Sequence, residues 1–219
     1  MRKAAFGIVL ATVILFVPGI CIAGPVTIFD NTNPISQVCC GYGVGTISAG
    51  NSFIDAFSFT VSGGNYLLDT VGFLESQGNL GNPVGTPSGF TLFLYGDSGS
   101  DSPGAVLESW SGITATSGIM LETVASTSVV ILDNGQRYWF GVTTTNPAEE
   151  GLWWINPALA ISPGCDFLNG SPVPCNSALA AGAFQITGTP TATPEPSSLL
   201  LLGTGLLGLG PFIRRFALS

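Results

Sequence analysis

The side chains that could carry chemistry are few, and a general base is missing from them. The chain contains no histidine, which removes the usual Ser-His-Asp and Cys-His mechanisms and the commonest zinc sites. Gly96-Asp97-Ser98-Gly99 matches the nucleophile sequence of chymotrypsin-like proteases, but without a base the serine is inert and the stretch reads as a turn. Lys3 is the only lysine, so a Ser-Lys dyad is absent from the mature domain as well. Asp97, Asp101 and Glu108 fall at positions one, five and twelve of an EF-hand-like loop. Gly99 at position three and Ser102 at the sharp-turn position argue against that motif. Asp97 and Asp101 remain candidates for a loose surface Ca²⁺ site, against a plain solvated hairpin loop.

Sugar chemistry has its own ingredients. Glycosidic hydrolysis needs two carboxylates about 5–9 Å apart in a cleft, and Glu149-Glu150 stand close to Trp153-Trp154. Adjacent residues of a strand point to opposite faces, so each pair is expected to split. One of Trp153 and Trp154 belongs to the core, and the outward one is the candidate carbohydrate contact.

Cys39, Cys40, Cys165 and Cys175 remain once a leader bearing Cys21 is removed, and an even count in an exported chain favours disulfides. Cys165 and Cys175 close a short loop holding Gly170, Pro172 and Pro174. Adjacent Cys39 and Cys40 could pair only in a strained ring, so cross-pairing with 165 and 175 stays open. Two adjacent cysteines cannot easily ligate one ion, and no metal or other cofactor is expected.

Both ends are apolar. Arg2-Lys3 precede an apolar run from Ala4 to Val17, Pro18-Gly19 break it, and Cys21-Ile22-Ala23 offers small residues for a cut. This is a secretory signal peptide, cut by signal peptidase between Ala23 and Gly24. A lipoprotein site at Cys21 is opposed by the bulky Ile20. At the other end Ser198 to Ile213 carries no ionisable side chain. As a helix its 16 residues would reach roughly 24 Å, just short of a ~30 Å hydrocarbon core. Arg214 and Arg215 supply the charge expected on the cytoplasmic side. Between the two ends Arg137 is the only basic residue of a chain with 13 acidic ones. Such a domain has no electrostatic footprint for nucleic acid or anionic lipid.

The C-terminal arrangement carries a resemblance. Pro194-Glu195-Pro196-Ser197, the Leu/Gly-rich span and Arg214-Arg215 resemble the PEP-CTERM sorting signal of Gram-negative bacteria. The resemblance implies an exosortase that recognises the tripeptide, cuts near it and releases the cargo, in systems that usually accompany exopolysaccharide production. Pro211 departs from an uninterrupted helix. Residues 53–143 also resemble exported choice-of-anchor domains. That likeness rests on Leu94-Tyr95-Gly96-Asp97, on Ser102-Pro103-Gly104 leading to Val106-Leu107, and on Tyr138-Trp139-Phe140-Gly141. No activity comes with it.

The elements that must hold these residues are strands. Short runs rich in β-branched or aromatic residues occur at 26–30, 53–61, 66–74, 90–95, 106–110, 123–132, 138–143, 152–155 and 183–187, each bounded by Gly, Pro, Asn or Ser. Asp133-Asn134-Gly135-Gln136 is predicted to be a hairpin turn between two of them. No sustained helical periodicity is present. The expected fold is all-β, an antiparallel β-sandwich of jelly-roll kind, with an N-terminal signal helix and a C-terminal transmembrane helix. The expected layout is a signal peptide at 1–23, a cargo domain at 24–188, a Thr/Pro linker at 189–193 and the sorting signal at 194–219, with its transmembrane segment at 198–213. The expected role is an exported, exosortase-processed surface or extracellular-matrix protein associated with exopolysaccharide and without catalytic activity. A carbohydrate-binding module using an exposed Trp is the alternative, and a glycosidase-like enzyme a third reading.

Overall fold

Alternation of apolar and polar side chains puts one face of each strand in the core, and the turn-rich intervals keep the strands short. The computed structural model describes residues 24–33, 38–48, 51–77, 87–146, 148–156, 161–168, 171–172 and 175–191. In chain order the strands are β1 (Val26–Asp30), β2 (Cys39–Ser48), β3 (Asn51–Thr60), β4 (Tyr66–Ser76), β5 (Gly89–Asp97), β6 (Pro103–Thr114) and β7 (Met120–Ala125). They continue as β8 (Ile131–Leu132), β9 (Arg137–Thr144), β10 (Glu150–Ile155), β11 (Ile161–Leu168), β12 (Ser171–Pro172), β13 (Asn176–Ala180) and β14 (Phe184–Pro190). Among the described residues there is no helix, and so none long and apolar enough to cross a membrane. The expected signal and transmembrane helices lie outside the described residues.

All pairings are antiparallel, and the path runs β1-β14-β4-β10-β2-β3-β9-β5-β6. β7 and β8 add to β4, while β11 pairs with β3 and carries β12 and β13. The path folds back on itself, because rings far apart along it meet. Phe73 of β4 meets Phe90 of β5 edge-on at 5.3 Å, and Phe140 of β9 stacks on Phe184 of β14 at 5.1 Å. Phe57, Phe59, Trp153 and Val44 join the same core. Each such aromatic pair adds about 0.5–1.5 kcal/mol beyond the burial itself. A second, smaller cluster of Ala56, Tyr95, Trp139 and Cys165 lies on the opposite face of β3, β5 and β9.

Four features differ from the sequence reading. β2 contains Gly41, Gly43 and Gly45, which weaken any strand signal, yet Gly41 is needed small: a Cβ there would lie 3.2 Å from the Trp153 carbonyl oxygen. The run 123–132 is two strands, since the Ser126–Ser128 segment leaves the ladder to bond Glu108. The turn at 133–136 is not a hairpin, for β8 pairs with β4 and β9 with β3 and β5. The turn is stitched instead to the end of β3, through Gly135 N–H to the Val61 carbonyl and Val61 N–H to the Gln136 carbonyl. Finally, Thr189 and Pro190, read as the start of the linker, continue β14 against Leu67 and Tyr66.

Candidate functional site

The first cluster forms where β5 turns into β6. Asp97, Trp139 and Arg137 share the outer face, because alternation along β5 and β9 sends all three to the side away from Phe140. Arg137 Nε and Nη2 donate to the two carboxylate oxygens of Asp97 at 2.9 and 3.1 Å, a fork-to-fork pair. Its Nη1 donates to Asp101. The Trp139 indole N–H adds a bond to Asp97 at 2.9 Å, and the guanidinium lies 5.6 Å from the Trp139 ring centre. The Arg137 hydrogen bonds hold the Asp97 carboxyl below its usual range, with Trp139 and the Gly99 N–H helping and burial opposing. Asp97 and Asp101, the Ca²⁺ candidates, do converge. What they converge on is a guanidinium standing where a cation would sit. Glu108, read in the same loop, is buried in β6 and turns elsewhere. It accepts Ser126 Oγ at 2.6 Å and the N–H groups of Thr127 and Ser128 at 2.6 and 3.2 Å. Among the described residues no three acids, cysteines or histidines gather as a metal group.

The second cluster was not singled out in the sequence. Asp55 of β3 stands directly opposite Asp166 of β11 and is 5% exposed. Burial, then the Asp166 charge and a hydrogen bond between the two carboxyls, push Asp55 well above its ordinary value. The neighbouring Tyr42 phenol is raised for related reasons, burial first and then Asp55 and Asp166. Tyr42 packs on Phe57 and donates to the Ala180 carbonyl at 2.9 Å. A signal was available: Asp55 has the parity of Phe57 and Phe59, so it had to enter the core side of β3.

The sugar candidates separate. Trp153 is fully buried, donates to the Ala183 carbonyl at 3.1 Å, and lies so close to Gly182 that a Cβ there would be 2.2 Å from its Cε2. Trp154 is half-buried, with its N–H donated to Ser76 Oγ at 2.9 Å. Glu150 is buried, whereas Glu149 accepts the Ser88 N–H at 2.7 Å, Ser88 Oγ at 2.9 Å and Asn146 Nδ2 at 3.0 Å. The Ser88 N–H is the main cause of the lowered Glu149 carboxyl. Glu75 uses the same device, accepting Thr116 Oγ1 at 2.5 Å and its N–H at 3.0 Å.

Cys165 and Cys175 form a disulfide. Cys40 is exposed at the start of β2, and the Cys39 side chain lies outside the described residues. Gly24 begins the described chain, while Ala23, Pro194, Glu195, Pro196, Arg214 and Arg215 lie outside it. No curated protein matches the chain. Residues 192–215 match the PEP-CTERM protein-sorting motif, a range that spans the Pro-Glu-Pro tripeptide and both terminal arginines. By this tail the chain carries the sorting signal of an exosortase substrate.

Proposed function

We propose that the chain is an exported surface or extracellular-matrix protein, released by an exosortase and associated with exopolysaccharide, whose folded part is cargo without catalysis of its own. The sorting motif at 192–215 carries this reading. The carboxylates support it: Glu75, Glu108, Glu149 and Asp97 are each bound by donors of the fold itself, so these four acids serve the fold. The precursor is cut by signal peptidase after Ala23 and held in the inner membrane by residues 198–213 until processed. A sandwich of jelly-roll kind is supported by the aromatic contacts between strands far apart along the path. The choice-of-anchor likeness gains support because its three motifs fall on the neighbouring strands β6, β5 and β9.

Intact mass of the protein released by an exosortase-bearing host tests the reading. The expected product begins at Gly24 and ends upstream of the 198–213 span. Replacing Pro194 and Glu195 by Ala should leave the protein in the membrane fraction at full precursor length minus the leader. A released product that still contains Arg214 and Arg215 would overturn the proposal.

A further inference from the structure

A recess of about 360 Å³ opens where the folded domain hands the chain to the sorting tail. Two tight turns and the end of β14 build it. Gly63 and Gly64 lie in the turn between β3 and β4, Asn134 in the turn between β8 and β9, and Thr191 follows β14. Asn65 ties the three together. Its side-chain oxygen accepts the Asn134 N–H at 2.8 Å, and its carbonyl accepts Thr191 N–H at 2.9 Å and Thr191 Oγ1 at 3.1 Å. The recess is therefore pre-formed by bonds among its own walls, the usual condition of a small-ligand site, and its size falls in the ordinary range for one.

The walls also specify a ligand class. Tyr66 lies against Leu132 and Pro190 in the ladder and gives the recess its aromatic surface. Gly63 and Gly64 place no side chain over the tip of that ring, whose hydroxyl donates to the Ser62 carbonyl at 3.2 Å. A Cβ on Gly63 would sit 3.0 Å from the Tyr66 hydroxyl, and its φ of +88° requires glycine in any case. Asn65 and Asn134 are exposed, and their amides offer both donors and an acceptor to a ligand. No carboxylate, ammonium or guanidinium lines the recess, and the chain as a whole carries a net charge of −8. An aromatic face bordered by neutral amides and a threonine hydroxyl fits a polyhydroxylated, uncharged ring. An acidic polymer would meet repulsion and no cation.

We infer that this recess binds a segment of neutral saccharide, holding polysaccharide at the tail-proximal end of the domain. The inference rests on the exopolysaccharide reading above and supplies its contact: Tyr66 with Asn65 and Asn134.

Affinity electrophoresis tests it on the released protein, with dextran, galactomannan, hydroxyethyl cellulose or the host's own exopolysaccharide in the gel, and alginate as the acidic comparison. Wild type should be retarded by at least one neutral polymer and not by alginate. Asn65→Asp keeps the oxygen that accepts the Asn134 N–H but replaces the amide donor by a charge. It should weaken retention at least tenfold with the melting temperature nearly unchanged. Asn134→Ala should weaken it several-fold, and Tyr66→Ala should abolish it. Where Tyr66→Ala fails to fold, the two asparagine variants decide. Equal retention of wild type and both asparagine variants, retention by alginate alone, or no retention by any neutral polymer would each overturn the inference. A failure of processing is read separately in the intact mass, and the membrane-bound precursor can then be extracted and run in the same gels.

Discussion

Acidic sites lie near both faces of β3 and β11, and the fold accommodates them by different means. On the outer side Asp97 and Asp101 meet Arg137, next to the cluster that contains Ala56 and Cys165. On the inner side Asp55 meets Asp166 across the β3–β11 ladder. Arg137 is the only basic residue between the two ends of the chain, so the inner pair has no cation to draw on. Burial and the Asp166 charge instead push the Asp55 carboxyl well above its ordinary value. The contrast teaches how a nearly cation-free exported domain manages buried acids. Asp97 and Asp101 share the guanidinium, several acids take backbone N–H and hydroxyl donors, and Asp55 beside Asp166 is pushed toward its neutral form, because burial and a like charge both disfavour ionisation.

Cys165 lies between the two sites, and its disulfide gives the largest expected effect. Cys165 Sγ lies 3.8 Å from the Asp101 carbonyl oxygen, and the next residue in β11 is Asp166. The link closes a sequence separation of 10, and a loop of that order is worth roughly 2–3 kcal/mol through the unfolded chain. Replacing Cys165 and Cys175 by Ala should lower the denaturant midpoint accordingly. It should also weaken the pH dependence of stability contributed by both acid sites, as β11 loosens from β3. A large loss of stability with both pH limbs unchanged would separate the disulfide from the two acid sites.

How far these sites were legible differs for a physical reason. Asp97, Asp101 and Arg137 lie at the end of β5, in the turn after it and at the start of β9; a turn rich in Gly and Ser declares itself, and a lone arginine stands out. Which charge it would meet was fixed only by the β5–β9 register. Asp55 betrayed its burial through its parity with Phe57 and Phe59, but Asp166 sits among Ser, Pro, Gly and Cys in β11 with no period to read. The β3–β11 pairing brings residues 55 and 166 together across more than a hundred intervening positions, and no local pattern encodes that. The aromatic strands were readable because alternation survives in them. β2 was not, because Gly41, Gly43 and Gly45 interrupt its alternation, and Gly41 and Gly45 stand against neighbouring backbone.

Arg137→Met sharpens the comparison from the outer side. The variant keeps much of the side-chain volume and leaves Asp97 with Trp139 Nε1 and the Gly99 N–H. The pair is partly exposed, with side-chain accessibilities of 26% and 21%, so the loss should be about 1–2 kcal/mol at neutral pH. The sign with pH follows from the lowered Asp97 carboxyl. Its stabilisation is fully present above the ordinary aspartate value, near 3.9, and is lost as pH falls through the depressed one. Denaturation midpoints between neutrality and the acid limit should therefore show a shallower acid decline in the variant, with Glu149, also lowered, supplying what remains. An unchanged acid limb would mean that Asp97 is held by Trp139 and the turn rather than by Arg137.

Asp55→Asn probes the inner side and should be the smallest effect, with the opposite sign. In the native protein Asp55 is raised well above its ordinary value, so the folded state binds a proton that the unfolded chain releases. Stability is then highest below the ordinary aspartate value. It falls as pH rises toward the raised one and levels off above it. An amide of the same shape cannot ionise and can still donate a hydrogen bond to Asp166. Removing the carboxyl should raise stability by about 1 kcal/mol at pH above the raised value, on the order of one desolvation penalty, and should change little below the ordinary aspartate value. The decline with rising pH should shrink without vanishing, because Glu75 is also raised by burial, against the lowering effect of its Thr116 bonds. Infrared difference spectra give an independent reading: the band of a protonated carboxyl, shown by wild type between the ordinary aspartate value and the raised one, should be absent from the variant. A variant that loses stability at every pH while the band persists would overturn the assignment of the raised carboxyl to Asp55.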